Sequence, residues 1–269
     1  MYRRRARGAA AALLAAILLV HTFPAPAATV QLDELTWTEV RDALRAGTTT
    51  VIIPVGGTEQ NGPHMALGKH NVRAAALSVR IADKLGNALV APVVSYVPEG
   101  RISPPAGHMR FAGTISVPTD AFAAIVGGAA RSLRQHGFRH IVLIGDSGNY
   151  QGQLREVADR LNREWAGSHG RAHYIAAYYQ AATDGFNDAL RARGFTAAQI
   201  GAHAGAADTS LMLAVDPARV RTDRMQAGQE AATGVAGDPS RASATLGKIG
   251  IELAVDKTVE AIRLAVRSH

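Results

Sequence analysis

The chain has 269 residues, 47% of them hydrophobic and 19% charged, with a mean hydropathy of +0.01, which suits a globular protein with one sizeable core. Aromatic residues make up only 5%, and no basic run follows the first residues, so a nucleic-acid surface is excluded. With no cysteine, disulfides, thiolate metal ligands, a cysteine nucleophile and a lipidated N-terminus are excluded as well, and any metal must be held by nitrogen and oxygen.

Arg3, Arg4, Arg5 and Arg7 precede an apolar run over residues 9–20, and Ala25, Pro26 and Ala27 supply small residues at a cleavage position. This is the pattern of a signal peptide over residues 1–27, leaving a single domain over residues 28–269 in a periplasmic or secreted location. The apolar run is shorter than the roughly 20 residues a bilayer core requires, so no stable membrane insertion is expected after cleavage. Its removal takes four arginines and no acid, lowering Lys+Arg from 29 to 25 against 22 acids and the net charge from +7 to +3.

A short helix is predicted over residues 35–46, then a β-rich apolar run over residues 48–55 that reads as a strand buried on both faces. A helix over residues 72–85 and a second buried run over residues 88–97 follow. Residues 98–113 form a long proline- and glycine-containing loop, and such loops are often functional. A helix over residues 119–136, a strand over residues 140–144, a loop over residues 146–149 and a helix over residues 151–165 come next. A strand over residues 173–179 and helices over residues 184–193 and 206–214 continue the alternation, an irregular stretch covers residues 227–243, and a helix covers residues 244–266. Strands alternating with helices, with no hairpin signals between them, imply an α/β fold with a mostly parallel sheet covered on both faces. Ligands in such folds gather at the carboxyl ends of strands, where residues 59–70 and 146–150 place their polar clusters.

Residues 51–68, VIIPVGGTEQNGPHMALG, resemble the signature of the creatininase family, close to P-x-G-S-x-E-Q-H-G-P-H-L-P-L-G-x-D. Three further segments follow in that family's order: FAGTIS at residues 111–116, IGDSGN at residues 144–149 and HAGAADTS at residues 203–210. The resemblance implies a three-layer αβα domain, assembly as a homo-oligomer, often a hexamer, and hydrolysis of an amide C–N bond at a metal site on the strand ends. Carried over residue by residue, it places Glu59, His70 and Asp146 at one metal and Asn61, His70 and Gly148 at the second. His70 stands where the family has a bridging aspartate, and Asp146 where it has a histidine. An imidazole offers one lone pair and cannot bridge two ions as a carboxylate does. Glycine offers no donor. The first position still counts two carboxylates and one imidazole, so a single divalent ion, zinc or else manganese or iron, is expected on Glu59, His70 and Asp146.

His203 is the expected catalytic proton carrier, since imidazole titrates near neutral pH. Asp208, one methylene short of the family's glutamate, is the other candidate to move the proton to the leaving nitrogen, or else holds the His203 tautomer or pairs with a base. Asn61, His64, His108, Asn149 and Tyr150 are the expected substrate contacts. Ser147 sits at a strand-to-helix turn, but the nucleophile elbow G-x-S-x-G would need glycine where Asn149 stands. The expectation is therefore an exported, metal-dependent amidohydrolase acting on a small, possibly cyclic, amide, the alternative being a non-catalytic small-molecule binding protein on the same fold. N-terminal sequencing of the chain from its native host should find a start near Ala28 in an extracytoplasmic fraction; an intact Met1 in the cytoplasm would refute the export reading.

Overall fold

The computed structural model describes residues 29–268, so the leader expected over residues 1–27 lies outside the described residues. Four strands form one parallel sheet in the order β2-β1-β3-β4: β1 (Thr50–Val55), β2 (Ala88–Val90), β3 (His140–Gly145) and β4 (Arg171–Tyr174). The helices are α1 (Trp37–Arg45), α2 (Lys69–Leu85), α3 (Thr119–Gln135), α4 (Gln151–Glu164), α5 (Ala176–Gln180), α6 (Phe186–Arg191), α7 (Ala197–Ile200), α8 (Ala206–Val215), α9 (Glu230–Thr233) and α10 (Ala244–Arg267).

Successive strand residues point to opposite faces, and the two cores follow that period. Ile52, Val142 and Ile144 pack with Leu77 and Ile81 of α2, Tyr178 of α5, Phe186 of α6, Leu211 of α8 and Ile251 of α10. Val51, Ile53, Val55, Ile141 and Leu143 pack with Phe122 and Val126 of α3 and Leu154 and Leu161 of α4, and Val40 and Leu44 of α1 lie at that core's edge. The result is the three-layer αβα architecture expected from the alternation. All six residues of β1 are buried, as a strand with a neighbour on each side and helices on both faces requires.

Two strands differ from the sequence expectation, and the short helices α7 and α9 stand where none is expected. The second run forms a strand only over Ala88–Val90; Ala91 N–H still donates to Ile52 O, but the pairing then slips by one residue, and Val94, whose N–H donates to Pro54 O, rejoins the sheet as a single bridge to Val55. The fourth strand lies at Arg171–Tyr174 instead of residues 173–179. The chain leaves the sheet after Tyr174 and enters α5, which continues through a π-helical stretch, Ala181–Gly185, into α6. Apolar periodicity over so few residues does not separate strand from helix.

From β1 the chain crosses by α2 to β2 in one direction, and from β3 by α4 to β4 in the other. The sheet therefore reverses its order between β1 and β3, and the crevice beyond their carboxyl ends, at Val55 and Gly145, is where such folds bind ligands. Ile52, fully buried between β2 and β3, tests the weight of the packed core: Ile52→Ala should cost about 2–5 kcal/mol in urea unfolding, and a loss under about 1 kcal/mol would contradict the packing described.

Candidate functional site

Glu59 arrives from the loop after β1, its backbone N–H donating to Leu67 O at 3.1 Å. Asp146 follows β3 directly, with its N–H on Val55 O at 3.0 Å. Between these acids stands the first turn of α2, which carries Lys69, His70 and Arg73, no acid, and no side-chain cap at Gly68. Cations there oppose the helix dipole, and all three are buried. They are held by matched acids.

The His70 ring bridges the two carboxylates, Nε2 lying 2.7 Å from Glu59 Oε1 and Nδ1 lying 2.6 Å from Asp146 Oδ1. Arg73 donates to Asp146 Oδ1 from Nε at 2.9 Å and Nη2 at 2.6 Å, and from Nη1 to Asp208 Oδ1 at 2.8 Å. Lys69 Nζ donates to Asp208 Oδ2 at 2.9 Å and lies 3.7 Å from Glu59 Oε1. Tyr178 Oη takes up the other oxygen of Asp146, donating to Oδ2 at 2.7 Å. Ala204, at φ 55, turns its N–H onto Asp208 Oδ2 at 2.9 Å. Burial opposes each of these charges, but the opposite charges outweigh it. Arg73 and His70 hold Asp146 below the usual carboxylate range, and Lys69 and Arg73 hold Asp208 well below it. For His70 burial and Lys69 lower the pKa, yet Glu59 and Asp146 leave it above the usual histidine range. Burial likewise opposes the Glu59 charge, and His70 and Lys69 still bring its pKa well below the ordinary value.

A second group faces this network. His203 Nε2 lies 2.8 Å from Gln60 O and donates to it, which leaves Nδ1 unprotonated, 3.7 Å from Glu59 Oε1. Burial, with Lys69, lowers the His203 pKa to about 3, so the ring is neutral. His108 packs against it with ring centroids 4.5 Å apart; its Nδ1 contacts Gln60 Nε2 at 3.0 Å and its Nε2 lies 3.3 Å from Glu59 Oε2. That Oε2 is buried, and no N–H donor bonds to it. Glu99, 2% exposed, accepts from Asn149 Nδ2 at 2.5 Å. Burial, the neighbouring Glu59 carboxylate and the side-chain hydrogen bond between the two push its pKa up to about 8, so it carries a proton at neutral pH, shared with Glu59. Around these groups opens a cavity of about 450 Å³, its walls including His108, Asn149, Asp184, His203 and Glu230.

The structure thus brings Glu59, His70 and Asp146 together, but as a closed chain of ion pairs. Both ring nitrogens of His70 face carboxylate oxygens, and both oxygens of Asp146 are taken, so neither presents a free donor. The second family position fits no ion either: Asn61 turns its Nδ2 to the carbonyls of Glu59 and Ala66, and a side chain at Gly148 would begin 2.6 Å from Tyr179 Oη. Among the described residues, the donor set that remains is Glu59, His108 and His203, whose ligand atoms lie within 4.8 Å of one another.

Three expected substrate contacts do not line the cavity, whereas His108 and Asn149 do. Asn61 braces its own loop. His64 bonds Thr209 Oγ1 at 2.9 Å inside the core, and Tyr150 donates to Val55 O at 2.9 Å while accepting from Ser147 N at 3.0 Å. Asp208 pairs with Lys69 and Arg73 rather than with His203; its depressed pKa leaves it no proton to carry, which corrects its expected catalytic part. Sequence reasoning missed Lys69, Arg73, Glu99 and Tyr178. Lys69 and Arg73, four apart on a helix that opens without an acid, gave a readable signal; Glu99 and Tyr178 gave none.

The sequence profile of the creatininase family, described as creatinine amidohydrolase, matches residues 33–262. A creatinine amidohydrolase of Pseudomonas putida is 32% identical over 201 residues, covering 73% of this chain and 75% of the relative. A mycofactocin precursor peptide peptidase of Mycobacterium tuberculosis is 29% identical over 240 residues, covering 79% and 84%. Among solved structures, a manganese creatininase superposes with a TM-score of 0.73 at 28% identity over 88% of this chain and 98% of its own. A mutant creatininase of Zn-Zn type does so with a TM-score of 0.71 at 28% identity, covering 88% and 98%.

Because the Asp208 pKa is depressed, its stabilisation is complete above the ordinary aspartate range and is lost as pH falls through the folded value. Asp208→Asn should therefore cost about 3–5 kcal/mol at pH 7 by leaving Lys69 and Arg73 short of an anion. It should also flatten the acid-induced loss of stability; urea unfolding at pH 7 and pH 3 measures both, and equal slopes for variant and parent would contradict the pairing.

Proposed function

The chain belongs to the creatininase family, and on that premise we propose that it is an amidohydrolase cleaving a C–N bond of a small amide in the cavity beside Glu59, with one divalent ion held by Glu59, His108 and His203. The observation that carries this reading is the convergence of the buried Glu59 Oε2, of His108 Nε2 at 3.3 Å from it and of the free Nδ1 of His203, ligand atoms that lie within 4.8 Å of one another. Two imidazoles and a carboxylate suit zinc, manganese or ferrous iron, and an ion so held supplies Lewis-acid polarisation of the substrate carbonyl.

The remaining chemistry belongs to the chain's own side chains. Gln60 steadies both histidines, taking the His203 proton on its carbonyl and holding His108 at Nδ1. With the Gln60 amide in this orientation, Nε2 of His108 carries the ring proton, so taking up an ion there requires that proton to move to Nδ1 and the amide to turn. Hydrolysis adds water across the C–N bond, and one proton must reach the leaving nitrogen. His203 is neutral with its one proton engaged, and Asp146 and Asp208 are ionised. Glu99 is the acid that holds a proton at neutral pH, and Asn149, which fixes its Oε2, lines the cavity.

The relatives' names include a creatinine amidohydrolase and a precursor-peptide peptidase. Here a cavity of about 450 Å³ with mostly polar walls favours a small, hydrogen-bonding amide. The leader supports an exported, periplasmic or secreted chain, and no helix among the described residues is long and apolar enough to cross a membrane. Assembly as a homo-oligomer, a hexamer by family resemblance, belongs to the same reading.

The test is elemental analysis of the purified mature chain with turnover of a panel of cyclic and linear small amides. About one divalent ion per chain is expected at such a three-ligand set, with activity lost on chelation and restored by zinc or manganese. His203→Ala and His108→Ala should each lower metal affinity and kcat/KM by about 100-fold or more. Two ions per chain, or full turnover without metal, would refute this reading; no ion and no turnover would favour the non-catalytic binding protein.

A further inference from the structure

We infer that the place between Glu59 and Asp146 that the family resemblance assigns to a metal ion takes none in this chain: the His70 ring, flanked by Lys69 and Arg73, fills it and engages both carboxylates. This rests on family membership and on the geometry, not on the reaction proposed above.

Two distances carry the argument. Nε2 and Nδ1 lie 2.7 Å and 2.6 Å from oxygens of two different buried carboxylates, which is the range of charge-assisted N–H to carboxylate bonds. At that separation each ring nitrogen is engaged by a carboxylate oxygen, so neither is left free to hold an ion. Arg73 Nη2 also lies 3.3 Å from Nδ1, but it and Nδ1 share the shorter attraction to Asp146 Oδ1, Nη2 lying 2.6 Å away. Counted as ions, Lys69, His70 and Arg73 balance Glu59, Asp146 and Asp208. A neutral His70 would leave the buried group one negative charge in excess, and a divalent ion placed within it would leave an excess of positive charge.

The exchange between positions 70 and 146 follows from that balance. With a histidine rather than an aspartate at position 70, the bridging group is itself positive, and the residue facing it must then be an anion, which Asp146 supplies. Arg73 closes the other side, and Tyr178 takes the remaining Asp146 oxygen at 2.7 Å. The interior of the network is therefore complete without an ion, and only Oε2 of Glu59 is left turned toward His108.

The test uses the folded mature chain, labelled with ¹⁵N in its histidines and loaded with ¹¹³Cd. Neither ring nitrogen of His70 should couple to cadmium. A cadmium coupling to either His70 nitrogen would overturn the inference and leave the proposed reaction standing on other ligands. A chain that binds no cadmium upholds the inference and removes the metal from the proposed function. As a second measurement, His70→Asp in metal-free buffer should lower the thermal midpoint by about 10 °C, since it adds an acid to a buried cluster already balanced. A midpoint equal to that of the parent chain would overturn the inference as well.

Discussion

Three cations on one helical turn, Lys69, His70 and Arg73, meet three acids from three other places in the chain: Glu59 after β1, Asp146 after β3 and Asp208 on α8. Burying an ion costs several kcal/mol, and the start of α2 is the wrong end of the helix dipole for a positive charge. The arrangement persists because each ion has an opposite charge at charge-assisted distance, and His70, Arg73, Asp146 and Asp208 each have two. It fixes the start of α2 against the ends of β1 and β3 and so sets the shape of the crevice where the sheet reverses its order.

That constraint divides the site in two. One half is the ion-pair network, which lines the cavity yet is closed: the His70 nitrogens, both Asp146 oxygens and both Asp208 oxygens are engaged. In the other half Glu59 Oε2, His108 Nε2 and the Nδ1 of His203 face one another, with Gln60 tying the two rings to one residue. Glu59 belongs to both halves, one oxygen in each. The buried Glu99 is protonated because a second negative charge beside Glu59 would be expensive there.

Similarity to creatininases holds for the scaffold, and the motif resemblance puts the departures at positions 70 and 146, where it expects metal donors. A family can keep its sheet and strand-end crevice while side chains in that crevice change, since the fold is specified by two apolar cores on which the site residues have little hold. Ile52, Ile144 and Ile251 on one face and Val51, Leu143 and Leu154 on the other are indifferent to whether position 70 is aspartate or histidine. What is not indifferent is the charge count, and positions 70 and 146 differ from the family together.

The amino-acid sequence determined the α/β class, the parallel sheet, the strand-end location of the polar clusters and the family, because hydrophobic period, glycine punctuation and four ordered motifs are all local properties of the chain. It also named Glu59, His70, Asp146, His108 and His203 as the groups to watch. Only the tertiary structure decided their partners. Residues 70 and 146 are separated by 76 positions and residues 73 and 208 by 135, and nothing in either segment says that Arg73 reaches both Asp146 and Asp208, or that Tyr178 closes the second Asp146 oxygen. Whether an imidazole is a ligand or a cation depends on what stands beside each nitrogen, which is a property of packing across the sheet and not of sequence spacing.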